Sequence, residues 1–160
     1  MNIIGIDVGL ATTGWSILNV LTNINNPQLI QYGIIETKSK LNIEDRLAKI
    51  FNDMNELIDE YKPEEMAIES LFFFKNQKTV MNVSQVRGVL ILASRLKNID
   101  IYNYTPLQVK TAVSGYGRAD KKQVQKMIKL IFKLKEIPEP DDAADAIAIA
   151  LCHVNTKLKN

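Results

Sequence analysis

The segment Asn2-Ile-Ile-Gly-Ile-Asp-Val-Gly9 constrains this chain more than any other stretch. A short isoleucine-rich run bounded by glycine is the pattern of a strand buried on both faces of a sheet. Asp7 is its single carboxylate, and an isolated buried charge is strongly disfavoured. Something must pair with it, either a metal ion or a loop of backbone N–H groups. The functional question becomes what lies beside Asp7.

The rest of the chain supplies a sheet around that strand. Residues 15–20 and 29–36 read as two further strands, with turns over 9–14 and 23–27, which predicts an antiparallel meander. The period then becomes helical over 43–61, where Leu47, Ile50, Phe51, Met54, Leu57 and Ile58 form one apolar stripe behind Asn42 as N-cap. Residues 66–70 form a fourth strand, parallel to the first because a helix connects them. A loop over 72–77, a long helix over 79–96 and a fifth strand over 99–104 follow. Thr105-Pro106 opens a short helix that Gly115-Tyr-Gly117 breaks, and Asp120 caps a basic helix with Val124, Met127, Ile128 and Ile131 inward. A last helix runs over 142–155. The expectation is one α/β domain over residues 1–160, a five-stranded mixed sheet (antiparallel meander, then parallel strands) flanked by helices.

Charge is nearly balanced at +2, but unevenly spread. Residues 1–70 carry eleven Asp and Glu against five Lys and Arg, whereas residues 110–135 carry eight Lys and Arg against Asp120 alone. An acidic centre with a basic flank suits a phosphate polymer bound beside a cation, although a solvated helix face gives the same lysine pattern. No apolar run approaches the roughly 20 residues that span a bilayer, and no signal peptide is visible. The lone Cys152 cannot form an internal disulfide, so a reducing, cytoplasmic setting is expected.

Asp142 and Asp145 stand at i and i+3 on one face of the last helix, a spacing that helix-end capping also explains. Glu69 ends the strand expected beside Asp7. Four acids brought together raise each other's pKa unless a cation neutralises them, and hard oxygen ligands select Mg²⁺ or Mn²⁺. Two such ions about 3.5–4 Å apart would clamp the attacking and leaving oxygens of a phosphoryl transfer. No Cys/His cluster supports zinc, and no P-loop is present. His153 lies about 16 Å from Asp142 by the helix rise and reads as structural or surface-exposed.

Gly-Ile-Asp-x-Gly in the first strand, Ile-Glu-Ser ending the fourth, and Pro-Asp-Asp-Ala-Ala-Asp-Ala-Ile-Ala-Ile-Ala near the end resemble the RuvC family of Holliday-junction resolvases, which has the RNase H-like fold. The likeness extends through residues 72–88 and 108–127. It implies that Asp7, Glu69, Asp142 and Asp145 are the catalytic, metal-binding acids, holding two Mg²⁺ ions for which Mn²⁺ substitutes. Phe72 matches an aromatic that stacks on a base at the opened crossover, and Lys110 and Lys121 match basic residues near the scissile phosphate. Phe73, Lys75, Arg87, Arg118 and Lys122 are grouped with them as DNA contacts.

The implied activity is symmetric nicking of four-way DNA junctions by a C₂ homodimer, leaving 5′-phosphate and 3′-hydroxyl ends. A branch-migration motor is a possible partner, and no membrane is involved. Surplus apolar surface on the 79–96 helix (Val83, Val86, Val89, Leu90, Leu92) would suit the dimer interface. The chain departs from the family in having Val8 where proline is common and no basic residue over 10–13. Alternatives are an RNase H-like nuclease acting on hybrids or flaps, an actin-like ATPase suggested by the Gly5–Gly14 loop, and a non-cleaving junction-binding protein.

Overall fold

The computed structural model describes residues 1–20, 26–70 and 77–157. In chain order the elements are β1 (Asn2–Asp7), β2 (Thr12–Asn19), β3 (Gln28–Glu36), α1 (Ile43–Tyr61), β4 (Glu65–Glu69), α2 (Gln77–Leu96), β5 (Asp100–Tyr104), α3 (Pro106–Ser114), α4 (Lys121–Ile131) and α5 (Asp141–Lys157). The sheet order is β3-β2-β1-β4-β5. β1, β2 and β3 pair antiparallel, while β4 is parallel to both β1 and β5. This is the mixed five-stranded sheet expected from the sequence, with β1 at its centre.

The alternation of side chains along each strand divides the core into two layers. Ile4 and Ile6 of β1, Ile17 of β2, and Met66 and Ile68 of β4 face α1 and α2. Ile3, Leu18 and Ala67 face the other way, into the layer built by α3, α4 and α5. The α1 stripe behaves as its period requires, with Ile50, Met54 and Ile58 buried, and the Asn42 side chain accepts from the Asp45 N–H at 2.7 Å. Thr105 and Asp120 both complete capping boxes, with Gln108 and Gln123 respectively. Gly115 ends α3 in the left-handed conformation.

Some expectations shift. β2 starts at Thr12, because its ladder with β3 continues to the Thr12–Glu36 pair beyond the point where Asp7 of β1 pairs with Gly14, and the turn over 9–14 shrinks accordingly. In α4, Val124 and Ile128 are buried as expected and Met127 is partly buried against the same core, joined by Gln125, whereas Ile131 is exposed: the helix ends there, and Phe132 and Leu134 pack against that core instead. In α2, Val86 and Leu90 belong to the core, so the apolar surface left over is Met81, Leu92 and Leu96 instead. The loop expected over 72–77 lies outside the described residues apart from Gln77, which already belongs to α2, and the turn over 23–27 lies largely outside them. Among the described residues, no helix is long and apolar enough to cross a membrane.

Candidate active site

Strand parity determines which carboxylates can meet. Ile3, Gly5 and Asp7 share one face of β1, Glu65, Ala67 and Glu69 one face of β4, and Gly14, Ser16 and Leu18 one face of β2. All three sets look toward α5. The β1–β4 register pairs Ile6 with Ile68, so Asp7 and Glu69 follow side by side at the carboxyl ends of two parallel strands.

Two glycines bring α5 down onto this face. A Cβ at Gly14 would stand 2.0 Å from the Asp142 carbonyl oxygen, and one at Gly5 would stand 2.3 Å from that of Ala146. Any side chain at either position would lift the helix off the sheet. The Ser16 hydroxyl donates to the Ala146 carbonyl at 3.0 Å in a fully buried bond. The first turns of α5 therefore lie over the end of β1, with Asp145 directed at Asp7.

Asp7, Glu69 and Asp145 line one cavity of about 270 Å³, with Lys110 and Lys121 on its rim and Pro106, Val109, Val124, Ala148 and Ile149 as apolar wall. Burial and the charges of Asp145, Glu69 and Asp142 push the Asp7 carboxyl up to about 7, against the weaker opposing pull of Lys121. Glu69 is raised by burial and by Asp145, opposed by Lys110. Burial also raises Asp145, although Lys121 donates to it at 2.9 Å.

Asp141 and Asp142 divide their roles. Asp141 is exposed, accepts from Gln125 Nε2 at 2.9 Å and pairs with Lys121 at 3.2 Å, and these contacts lower its pKa. Asp142 is half-buried and borders an adjoining hollow with Glu139 and Pro140, yet its charge acts on both Asp7 and Asp145.

Among the described residues, no three carboxylates, imidazoles or thiols converge, as placed, on a single ion position. The Lys121 ammonium instead takes up the charge of Asp145. The donor set is nonetheless wholly carboxylate, the chemistry of Mg²⁺ and Mn²⁺. The like-charge crowding that adds to burial in raising Asp7 is what a divalent cation relieves. By its chemistry the site fits such ions, provided Lys121 gives way.

The expected DNA contacts are placed unevenly. Lys110 and Lys121 stand at the cavity, while Lys122 and Arg118 are exposed on the first turn of α4 and the turn before it. Arg87 is half-buried, and its Nη2 donates to Asn103 Oδ1 on β5. Phe72, Phe73 and Lys75 lie outside the described residues. Sequence reasoning passed over Glu65 and left His153 open between structural and exposed. The structure buries His153 completely and bonds it to Glu65 and Tyr104. The available signal was its place in the uninterrupted buried run of α5, where a polar ring needs partners.

Comparison with known proteins agrees with this architecture. The chain is 53% identical over 154 residues to the crossover junction endodeoxyribonuclease RuvC of Finegoldia magna, covering 96% of this chain and 93% of that protein. It is 51% identical over 156 residues to the RuvC of Halothermothrix orenii, covering 98% and 93%. Thermus thermophilus RuvC superposes with a TM-score of 0.91 at 30% identity, over 99% of this chain and 96% of that one. The structure of that protein in complex with Holliday junction substrate superposes at 0.89 and 28% identity, over 100% and 96%. The fold is thus RNase H-like. Since the family model described as crossover junction endodeoxyribonuclease RuvC matches residues 3–153, this chain belongs to the RuvC family.

Proposed function

We propose that this chain is a divalent-metal-dependent, structure-selective endonuclease that resolves four-way DNA junctions by paired symmetric nicks, leaving 5′-phosphate and 3′-hydroxyl ends. One observation carries the proposal: carboxylates from three separate elements share one cavity with two lysines at its rim, and burial together with the neighbouring carboxylates raises Asp7 to about 7. Asp7, Glu69, Asp142 and Asp145 are the residues that would hold the ions, two Mg²⁺ per site with Mn²⁺ as a substitute. Bound there, the ions supply Lewis-acid activation of water and neutralise charge on the leaving oxygen.

The protein's own groups do the rest. Lys110 and Lys121 attract the scissile phosphate, and a phosphate oxygen competes for the Lys121 ammonium, releasing Asp145 for ligation. The buried side chains of Val109, Val124 and Ile149 form an apolar wall that strengthens the charge interactions along it. Arg118 and Lys122 extend the cationic track beyond the cavity, Arg87 contributes at the β5 end, and Lys75, Phe72 and Phe73 would engage the DNA at the crossover, the aromatics by stacking on unpaired bases.

One cavity makes one nick, so symmetric resolution needs two copies related by a two-fold axis. The α2 face bearing Met81 (67% exposed), Leu92 (54%) and Leu96 (64%) supports a homodimer, as does Gly88, where an added Cβ would meet nothing within 4 Å. The reducing cytoplasm suits the buried thiol of Cys152. A branch-migration motor is a fitting partner for an enzyme with this substrate. The test is cleavage of a mobile synthetic four-way junction with Mg²⁺. Paired nicks in opposing strands are expected, and preferential cutting of RNA:DNA hybrids or flaps would overturn the junction assignment.

A further inference from the structure

At the other end of the same helix and strand lies a second set of ionisable groups that the reaction does not use. His153 is fully buried. Its Nε2 lies 2.6 Å from Glu65 Oε2 and its Nδ1 lies 2.7 Å from the Tyr104 hydroxyl. A carboxylate can only accept, so Nε2 carries the proton and Nδ1 accepts from the phenol, which fixes both tautomer and ring. Lys157 donates to the other Glu65 oxygen and to the Tyr102 hydroxyl.

The spacing of these contacts matches that of the active site. Glu65 and Glu69 share a face of β4 four residues apart, about 13 Å along a strand. His153 and Asp145 are eight residues apart on α5, about 12 Å along a helix. One pair meets at the cavity and the other at the buried imidazole, so α5 runs antiparallel to β4 with matched contacts at both ends.

Between those contacts the helix meets β1 through small side chains, with Ala146 and Ala150 lying against Gly5. Such smooth surfaces permit close approach but interlock weakly against sliding. Near the cavity the Ser16 bond resists it, and a directional bond at the far end is needed to complete the registration. We propose that His153 is a positioning residue: its bond to Glu65 fixes the axial register of α5 on β4 and thereby sets Asp145 against Glu69 across the cavity. The functional consequence rests on the divalent-ion reading given above, but the register itself does not.

The test separates the two. Glu65→Ala removes the acceptor, while Glu65→Gln retains an oxygen for the imidazole N–H. In crystal structures, Glu65→Ala is expected to shift Asp145 along β4, and Glu65→Gln to leave it in place. By calorimetry without DNA, Glu65→Ala and His153→Phe are expected to weaken Mg²⁺ binding about tenfold, the lower end for partners that orient metal ligands. Glu65→Gln and Tyr104→Phe should stay within about twofold of wild type on that scale. Junction binding in a metal-free mobility assay should not change. An unmoved Asp145 in Glu65→Ala overturns the proposal, as does a lowered melting temperature with unaltered Mg²⁺ affinity. Absence of Mg²⁺ binding by the wild type would remove the divalent-ion reading and leave the crystallographic comparison to decide the register.

Discussion

At the N-terminal end of α5, Asp145 meets Asp7 and Glu69, and all three carboxyls sit above their ordinary range. At the C-terminal end of the same helix, Glu65 of the same strand as Glu69 meets His153 and Lys157. There burial also pushes the carboxyl upward, but hydrogen bonds from Lys157 and His153 outweigh it and the pKa falls. Burial is common to both ends. The difference is partnership: one end gathers like charges around a cavity, and the other gives each polar atom a partner inside the fold. An arrangement that is costly when empty is a place for a cation, whereas one already satisfied is a fastening.

This contrast can be broken in several ways. The largest effect should come from Glu69→Gln, which removes a ligand without changing shape. Nicking of a four-way junction in Mg²⁺ should fall by at least about a thousandfold, roughly 4 kcal/mol of barrier, while a mobility assay shows the junction still bound. Retention of nicking would mean that the acidic end is not the catalytic one.

Next is His153→Ala, which leaves Glu65 and Tyr104 facing a void. Denaturant unfolding should show a loss of about 3–5 kcal/mol, the range for breaking a buried hydrogen-bonded network. A loss below about 1 kcal/mol would put the fastening on the level of one ordinary hydrogen bond.

Asp7→Asn should act in the opposite direction. The folded carboxyl is pushed up to about 7, chiefly by burial and then by its acidic neighbours, from an ordinary value of 3.8. Its contribution to stability is therefore intact below about pH 4 and is lost as pH rises through 7. Without divalent ions, the Asn variant should be more stable than wild type at pH 8, by up to roughly 4 kcal/mol at about 1.4 kcal/mol per pKa unit, with the advantage fading by pH 4. Mg²⁺ at pH 8 should raise the melting temperature of wild type more than that of the variant. Equal stability at both pH values would show that neither burial nor the neighbouring acids raise Asp7.

The smallest effect belongs to Ser16→Ala, which deletes only the buried bond to the Ala146 carbonyl. About 1 kcal/mol of stability should go, with nicking rates nearly unchanged, because the Glu65–His153 contact still sets the register of α5. A large fall in nicking would move the fastening from the far end of α5 to Ser16.

Much of the fold was legible because it rests on local rules. The uninterrupted apolar run of β1, the shift to a helical period over α1, the caps at Thr105 and Asp120 and the glycine break after α3 are all written within a few residues of where they act. The acids at the site were legible for a related reason, since a lone carboxylate in an apolar run signals a partner wherever the partner lies. The two neighbouring acids Asp141 and Asp142 were told apart by the structure, which leaves Asp141 exposed and held by Lys121 and Gln125 and Asp142 half-buried. The faces of α2 were misjudged at Val86 and Leu90, because a helix apolar on several sides does not announce which side meets the sheet.

By itself, then, the sequence determined the succession of strands and helices, the two-sided burial of β1, and the few acids that such burial could not leave alone. Only the tertiary structure decided the distances between them: which strand faces turn toward α5, how closely Gly5 and Gly14 let the helix descend, and where His153 anchors it. Hydrophobic period is a property of neighbours along the chain. The meeting of Asp7, Glu69 and Asp145 depends on registers between elements far apart in sequence, and those are set by packing and hydrogen bonds that exist only once the chain has folded.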